Sequence, residues 1–394
     1  MKLLVIGAGL SGLVAATEAQ DAGHDVVVLE ARDRVGGRVF TVRDGFAAGQ
    51  FADIGAEIVY HGQQNIADLC TKHGVELSSE FTFGGAADPE IANELRQALT
   101  HTKPAPYESV AQWLRRARVS ASAEALLTAI AQSTPAGPLR IADAQELNVE
   151  LSWGEAYRKI KGGNDTLPRV MAKKVDVRLN HAARVVRWGN AGVTIETERE
   201  TFHADRAVVT VPGPLVSELG FEPPLPAEKV RALLQLRYGN ATRVVVQYQE
   251  RDVVTQAIGS GSFTDGIPGF VMDQTVHQDG DPIIVGGLAA GDAEPTGMTD
   301  GEILDCVDAT VSAMARRPLK RLTGLVKSWT NDPWSRAVVR APIGDQRETV
   351  LPLIAAPLRD RVFFAGEHTD ARVGPGGMEG AIKSGHRVAQ EVLA

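Results

Sequence analysis

One stretch constrains this chain more than any other. Residues 1–38 read MKLLVIGAGLSGLVAATEAQDAGHDVVVLEARDRVGGR. Leu3 to Ile6 is a short apolar run of the kind that becomes a strand buried on both faces of a parallel sheet. Gly7, Gly9 and Gly12 follow at once in G-x-G-x-x-G spacing. Gly7 allows the tight turn, Gly9 lets backbone approach a pyrophosphate, and Gly12 lets the next helix pack against the strand. Leu10, Leu13, Val14 and Thr17 then share one helical face. The N-terminus of that helix, at Leu10 and Ser11, offers unpaired N–H groups and a positive dipole end to phosphate. A second apolar run, Val26 to Leu29, ends in Glu30, at the separation expected of a carboxylate that accepts ribose hydroxyls. The spacing alone would also suit a plain glycine-rich turn. Strand before, helix after and acid beyond point instead to a bound dinucleotide.

The continuation, Glu30-Ala31-Arg32-Asp33-Arg34-Val35-Gly36-Gly37-Arg38, extends the motif. Paired glycines expose backbone donors, and a fixed guanidinium offers phosphate a two-pronged fork. The segment resembles the second signature of the flavin-containing amine oxidase family, which includes monoamine, polyamine and L-amino-acid oxidases. The resemblance implies FAD rather than a nicotinamide cofactor, with Glu30, Ala31, Arg32, Gly36, Gly37 and Arg38 beside it. Asp53-Ile54-Gly55-Ala56-Glu57-Ile58-Val59 resembles the family's turn past the isoalloxazine, so Gly55, Ala56 and Glu57 are expected at the ring. A plain turn between strands would also explain Gly55.

Further matches run along the chain. Lys161-Gly162-Gly163 through Pro168 resembles the element that returns the family's chain to its FAD domain. Ala204 to Pro212 resembles a buried strand ending in proline, and in relatives the backbone at the position of Val185 meets the adenine. Trp329-Thr330-Asn331-Asp332-Pro333-Trp334 resembles W-x-x-[DE]-P-aromatic. Arg361 to Thr369 is a strand ending in Gly366-Glu367, and the last helix opens at Gly376-Gly377-Met378-Glu379-Gly380-Ala381. In the family the counterpart of Glu367 binds the ribityl chain. The helix N-terminus at Gly377, Met378 and Ala381 meets the pyrimidine end, where a positive dipole end stabilises negative charge.

The fold implied is α/β. A Rossmann-type, glutathione-reductase-like FAD-binding domain (1–63, 162–222 and 345–394) is interleaved with a substrate domain of mixed sheet plus helices (64–161 and 223–344). Tyr107 to Leu114 and Ala121 to Gln132 read as amphipathic helices, as does Asp300 to Arg317. The resemblance implies an enzyme that moves hydride from a carbon next to nitrogen to flavin N5. Molecular oxygen reoxidises the flavin and yields hydrogen peroxide. The expected partners are a small-molecule amine and oxygen, and a homodimer is left open.

Three departures qualify this. Many relatives carry a lysine that holds a water near flavin N5, and Arg243 stands there, either in that role or as an ordinary salt-bridged residue. The two aromatic rings that flank the family's substrate are missing, with Ala337-Val338-Val339 and Gly377 in their places. The opening that results suits a bulky or cyclic substrate, and Trp334 is a candidate for its wall or for core. No cysteine occupies the covalent-flavin position, where Val338, or Arg336 under a shifted alignment, stands, so the FAD is expected to be non-covalent. A flavin-dependent desaturase of a carbocycle or heterocycle, and a flavin-binding protein without turnover, remain as alternatives. His61 and His277 read as solvated loop residues or pocket bases.

Composition enters only to exclude. Across 394 residues the net charge is −8 with no long basic run, which argues against nucleic acid or an anionic membrane as partner. Arg115-Arg116-Ala117-Arg118 reads as a solvated helix face. Cys70 and Cys306 are the only cysteines, so no disulfide framework and no metal site is readable. No apolar stretch reaches membrane-span length, and the opening strand leaves no room for a signal peptide. These features lead us to expect a cytoplasmic protein.

Overall fold

The computed structural model describes residues 1–82, 89–106, 108–133, 139–140, 142, 144–146, 156–264, 266–341, 347–370 and 377–394. A parallel sheet runs in the order Val362–Phe364, Arg206–Val209, Lys2–Ile6, Asp25–Leu29, Asp176–Arg178. Its central strand explains why the opening run of the chain is apolar without alternation. Leu3 and Val5 enter one core, with the helices Leu10–Asp21 and Gly377–Leu393. Leu4 and Ile6 enter a second core on the opposite face, with helices Ala227–Gln235 and Arg347–Ala355. A strand covered on both faces needs apolar residues at every position.

Helix Leu10–Asp21 was expected to bury one stripe. Every residue from Leu10 to Thr17 is buried, because the C-terminal helix packs over the side that the sheet leaves open. That approach is backbone-close. A Cβ on Gly385 would lie 2.7 Å from the Ser11 carbonyl oxygen, and one on Gly12 would drive into the carbonyl of Gly7. A four-stranded sheet (Thr201–Ala204, Gly192–Thr197, Ala183–Gly189, Gly220–Glu222) extends from this core.

A second large sheet is antiparallel, in the order Gly261–Phe263, Phe270–Asp273, Ile283–Ala290, Ala241–Tyr248, Arg321–Ser328. Ala241–Tyr248 lies between Ile283–Ala290 and Arg321–Ser328 and is buried throughout. Helix Asp300–Ala315 covers it, opened by a capping box between Thr299 and Glu302. Three helices, Pro89–His101, Val110–Ala117 and Ala121–Ser133, form a separate core around Trp113. The indole N–H of Trp113 donates to the Thr102 carbonyl at 2.6 Å.

Two details differ from the sequence reading. The helix expected from Tyr107 begins at Val110, because Ser109 caps it reciprocally with Gln112; Tyr107 itself lies outside the described residues. Pro89–His101 was not anticipated as a helix, although proline is well tolerated in a first helical turn. Arg115, Arg116 and Arg118 are exposed, and Arg116 donates to Glu108 at 2.7 Å. Among the described residues no helix is long and apolar enough to cross a membrane.

The Gly12 contact is with main chain, so no rotamer change relieves it. Gly12→Ala is therefore expected to lower unfolding free energy by about 2 kcal/mol or more, read by denaturant unfolding of the FAD-free protein.

Candidate active site

The loop after the first strand is pressed against the loop after the second. The Gly36 N–H donates to the Ala8 carbonyl at 2.8 Å, and Gly9 and Gly36 bridge as parallel backbone. A Cβ on Gly37 would sit 3.4 Å from the Gly9 Cα. Gly36 has φ +96° and lies 2.5 Å, measured from an ideal Cβ, from the Val39 carbonyl oxygen, so only glycine serves there. Gly9 is the N-cap of helix Leu10–Asp21, which has no side-chain cap and no acid in its first turn. Open space lies beyond Gly9. Bare helix N–H groups, open space and glycine backbone on two sides are what a diphosphate needs.

Glu30 closes this cradle from below. Its carboxylate accepts from Ala8 N–H at 2.7 Å and from Arg32 N–H at 3.0 Å. Burial raises its pKa, against the pull of those two N–H groups. Ala31 is half-buried beside it. Arg32 does not point at open space. It makes a two-pronged pair with Asp332, Nη1 to Oδ2 at 3.0 Å and Nη2 to Oδ1 at 2.5 Å, and also donates to Ser335 at 2.9 Å. Lys327 joins the same carboxylate at 2.5 Å. Burial alone would push the Asp332 carboxyl up, but the hydrogen bonds and charges of Arg32 and Lys327 outweigh it and hold the group well below its ordinary range. Trp329 lies beside these cations, with Lys327 Nζ 5.1 Å and Arg32 Cζ 6.0 Å from its ring. Its indole N–H donates to the Ile54 carbonyl at 2.8 Å.

That bond ties the nucleotide end to the turn Asp53–Glu57. The turn is stacked on the Arg38 segment: Ala56 N–H donates to the Arg38 carbonyl at 3.0 Å, and a side chain on Gly55 would collide with the same carbonyl. The Arg38 guanidinium reaches the other way, to Glu367 at 3.0 Å and the Val338 carbonyl at 2.7 Å. Glu367 also accepts from Arg340 N–H at 3.2 Å. Gly366 is held by Ser384 of the last helix, its N–H donating to Oγ at 2.9 Å. In that helix Gly377 is exposed, Met378 is buried and Ala381 packs on the first core. Glu379 accepts from the backbone N–H groups of Asn65 at 3.2 Å and Ile66 at 3.0 Å, so it caps helix Gln64–Lys72.

Beyond the turn lies a buried charge cluster. Glu57 receives Lys159 Nζ at 2.8 Å on one oxygen and contacts Arg243 Nη2 with the other. Arg243 sits on strand Ala241–Tyr248 of the antiparallel sheet and also donates to the Met272 sulfur at 3.9 Å. Burial lowers Arg243 to about 10, against the pull of Asp53, so it stays protonated at neutral pH. Burial lowers Lys159 to about 8, against Asp53 and Asp273. Lys159 was missed in the sequence. Its only signal is alternation: Tyr157 and Lys159 are buried while Arg158 between them is exposed.

Two expected residues stand apart. Val185 pairs with Gly220 and Glu196 on the strand Ala183–Gly189. The backbone that meets this end of the site comes earlier, where Asn180 N–H donates to the Arg32 carbonyl at 2.9 Å and His181 N–H to the Glu30 carbonyl at 2.8 Å. Trp334 lies 5.9 Å from the Arg184 guanidinium, on the Arg32 side, and is half-buried. The structure does not bring it to Glu57 and Arg243. His61 and His277 are exposed.

The model of the family described as flavin-containing amine oxidoreductase matches residues 10–151 and 132–393. The chain belongs to that family. It is accordingly a flavin-dependent oxidoreductase that acts on amines. An L-amino-acid oxidase of Mus musculus is 27% identical over 448 residues, covering 99% of this chain and 70% of that protein. The fold matches that of a putrescine oxidase bound to putrescine, with TM-score 0.86 and 20% identity over 100% of this chain and 99% of the other. It also matches cyclohexylamine oxidase from Brevibacterium oxydans IH-35A, with TM-score 0.84 and 20% identity over 99% and 98%.

The Arg32–Asp332–Lys327 knot sets a pH dependence. A depressed folded pKa means that the stabilisation is present above the ordinary value of 3.8 and is lost as pH falls through the folded pKa. Asp332→Asn is expected to be about 3 kcal/mol less stable than the parent at neutral pH. That gap should shrink below the ordinary value, as urea unfolding at a series of pH values would show.

Proposed function

We propose that this chain is an FAD-dependent amine oxidase holding its cofactor non-covalently and taking a bulky or cyclic amine, with molecular oxygen as acceptor. The observation that carries the reading is the cradle at Gly9, where two loops meet backbone to backbone at an uncapped helix N-terminus. Its residues fit a dinucleotide. Gly7, Gly9, Leu10, Ser11 and Gly12 would hold the diphosphate with Gly36 and Gly37. Glu30, fixed by Ala8 and Arg32 N–H groups, would take the ribose. Arg38 and Glu367 would hold the middle of the cofactor, and Gly55, Ala56 and the helix N-terminus at Met378 its ring end.

Bound FAD supplies the acceptor for hydride leaving the carbon next to nitrogen. This chain's residues orient and exclude. Asp332 and Ser335 hold the Arg32 guanidinium, so backbone N–H groups would carry most of the diphosphate binding. Glu57, Lys159 and Arg243 form a buried ion cluster at the end of the turn. Where relatives have aromatic rings, Val339 is buried and nothing lies within 4 Å of an ideal Cβ on Gly377. Small side chains at both places support a wide substrate. The absence of a thiol at Val338 supports non-covalent attachment, as does the Cys70 thiol, which burial pushes up to about 12.

The domain division 1–63, 162–222 and 345–394 against 64–161 and 223–344 is proposed on the same footing. Every strand of the parallel sheet falls in the first set, and every strand of the large antiparallel sheet in the second.

The test is anaerobic titration of the purified protein with primary, secondary and cyclic amines, followed by admission of air. Bleaching by a bulky or cyclic amine, with colour and peroxide returning in air, is the expected result. Bleaching that air does not reverse would replace oxygen with another acceptor, and no bleaching by any amine would favour a carbocycle or heterocycle desaturase. Acid precipitation should leave the flavin in the supernatant.

A further inference from the structure

We infer that Gln274 is a positioning residue for hydride transfer, setting where the ring-end turn stands against the antiparallel sheet. The inference rests on the amine-oxidising reading above and deepens it. The turn from Asp53 to Ala56 is held by its backbone. The Phe40 carbonyl accepts from Ile54 N–H at 2.9 Å, and the Arg38 carbonyl from Ala56 N–H at 3.0 Å. Asn164 donates to the Ala56 carbonyl at 3.0 Å. Those three partners lie in the segments that carry the parallel sheet.

Two side chains tie the turn to the other side. One is Trp329, on the Ile54 carbonyl. The other is Gln274, whose amide takes both backbone groups of Asp53: Oε1 accepts from its N–H at 2.9 Å, and Nε2 donates to its carbonyl at 3.0 Å. Gln274 follows strand Phe270–Asp273, and its own N–H donates to the Ile284 carbonyl at 2.8 Å. The pattern repeats upstream. Gln278 takes the N–H and carbonyl of Phe51, both at 3.0 Å, and Gln247 those of Ala47 at 2.9 and 3.1 Å. A primary amide carries donor and acceptor side by side, so each pairs with a residue as a neighbouring strand would. Three such clasps lay the run entering the turn on the antiparallel sheet. Gln274 is the last before the ring end and is 2% exposed. Gly286 leaves it room, since a Cβ there would lie 2.4 Å from Nε2.

The consequence is kinetic. The glycine cradle fixes the cofactor at its diphosphate, and the turn sets where the ring end stands relative to the sheet of the substrate segments. Misplacing reacting groups by about 1 Å costs rate about 10²-fold. Gln274 acts through the Asp53 backbone, not on the reacting atoms.

The test is anaerobic stopped-flow reduction of the FAD-loaded protein by cyclohexylamine and benzylamine. Q274M should slow flavin reduction at saturating amine by roughly 10- to 100-fold, with amine affinity and FAD retention close to the parent's. Q274E adds a pH signature. Ionised, its side chain only accepts, and it faces the Asp53 carbonyl as like to like. Protonated, it offers donor and acceptor as the amide does, and burial raises the pKa of such a carboxyl. Its rate relative to the parent should therefore rise as pH falls, while that of Q274M stays level. If Q274M does not fold, G286A displaces the amide without altering it and should slow reduction in the same way. Parent-like reduction in the folded variants overturns the inference, as does a Q274E that tracks Q274M at every pH. A parent that neither amine reduces overturns the amine-oxidising reading, and the inference falls with it.

Discussion

The structure depends on one backbone contact, that of Gly9 with Gly36 and Gly37. Two loops from neighbouring parallel strands can touch only if neither carries a side chain at the meeting point. Once they touch, the helix after Gly9 has one place to go, against the strand it left, and Gly12 permits it. The C-terminal helix then closes over Ser11 through Gly385. Cradle, sheet and last helix are thus one packing solution, and the glycines are its geometric terms.

Charge is handled with similar economy. Arg32, Arg38, Arg43, Lys159, Arg243 and Lys327 each meet a carboxylate. Buried pairs of this kind add little net stability, since desolvation offsets most of the attraction. What they contribute is placement. Asp332 ties a residue 300 positions away in sequence to the nucleotide end, and Glu367 ties the last strand to the Arg38 segment. The protein spends its cations on holding loops together and leaves the glycine cradle lined by backbone.

Much of the fold was legible because its signals are local. Strands buried on both faces read as unbroken apolar runs, and Thr299 with Glu302 reads as a helix start. The glycine motifs announce a cradle because each glycine answers a steric demand within a few residues. What stayed hidden was cross-chain. Nothing near Lys159 says that its partner is Glu57, and nothing near Asp332 says that it will claim Arg32. Val185 was placed by motif, and nothing near His181, just before that strand, says that its backbone will bond to Glu30. The helix Pro89–His101 was missed because a shift in composition marks a helical region without marking its members.

The order of strands in the parallel sheet has a consequence for how the protein is made. Lys2–Ile6 emerges first but pairs on one side with residues near Arg206, and the sheet is completed by Val362–Phe364. The Glu379 cap on helix Gln64–Lys72 comes later still. On the ribosome the sheet behind the glycine cradle therefore lacks its strands on one side until Val362–Phe364 has been synthesised. Its apolar central strand must wait through that interval, exposed to chaperones and to misfolding.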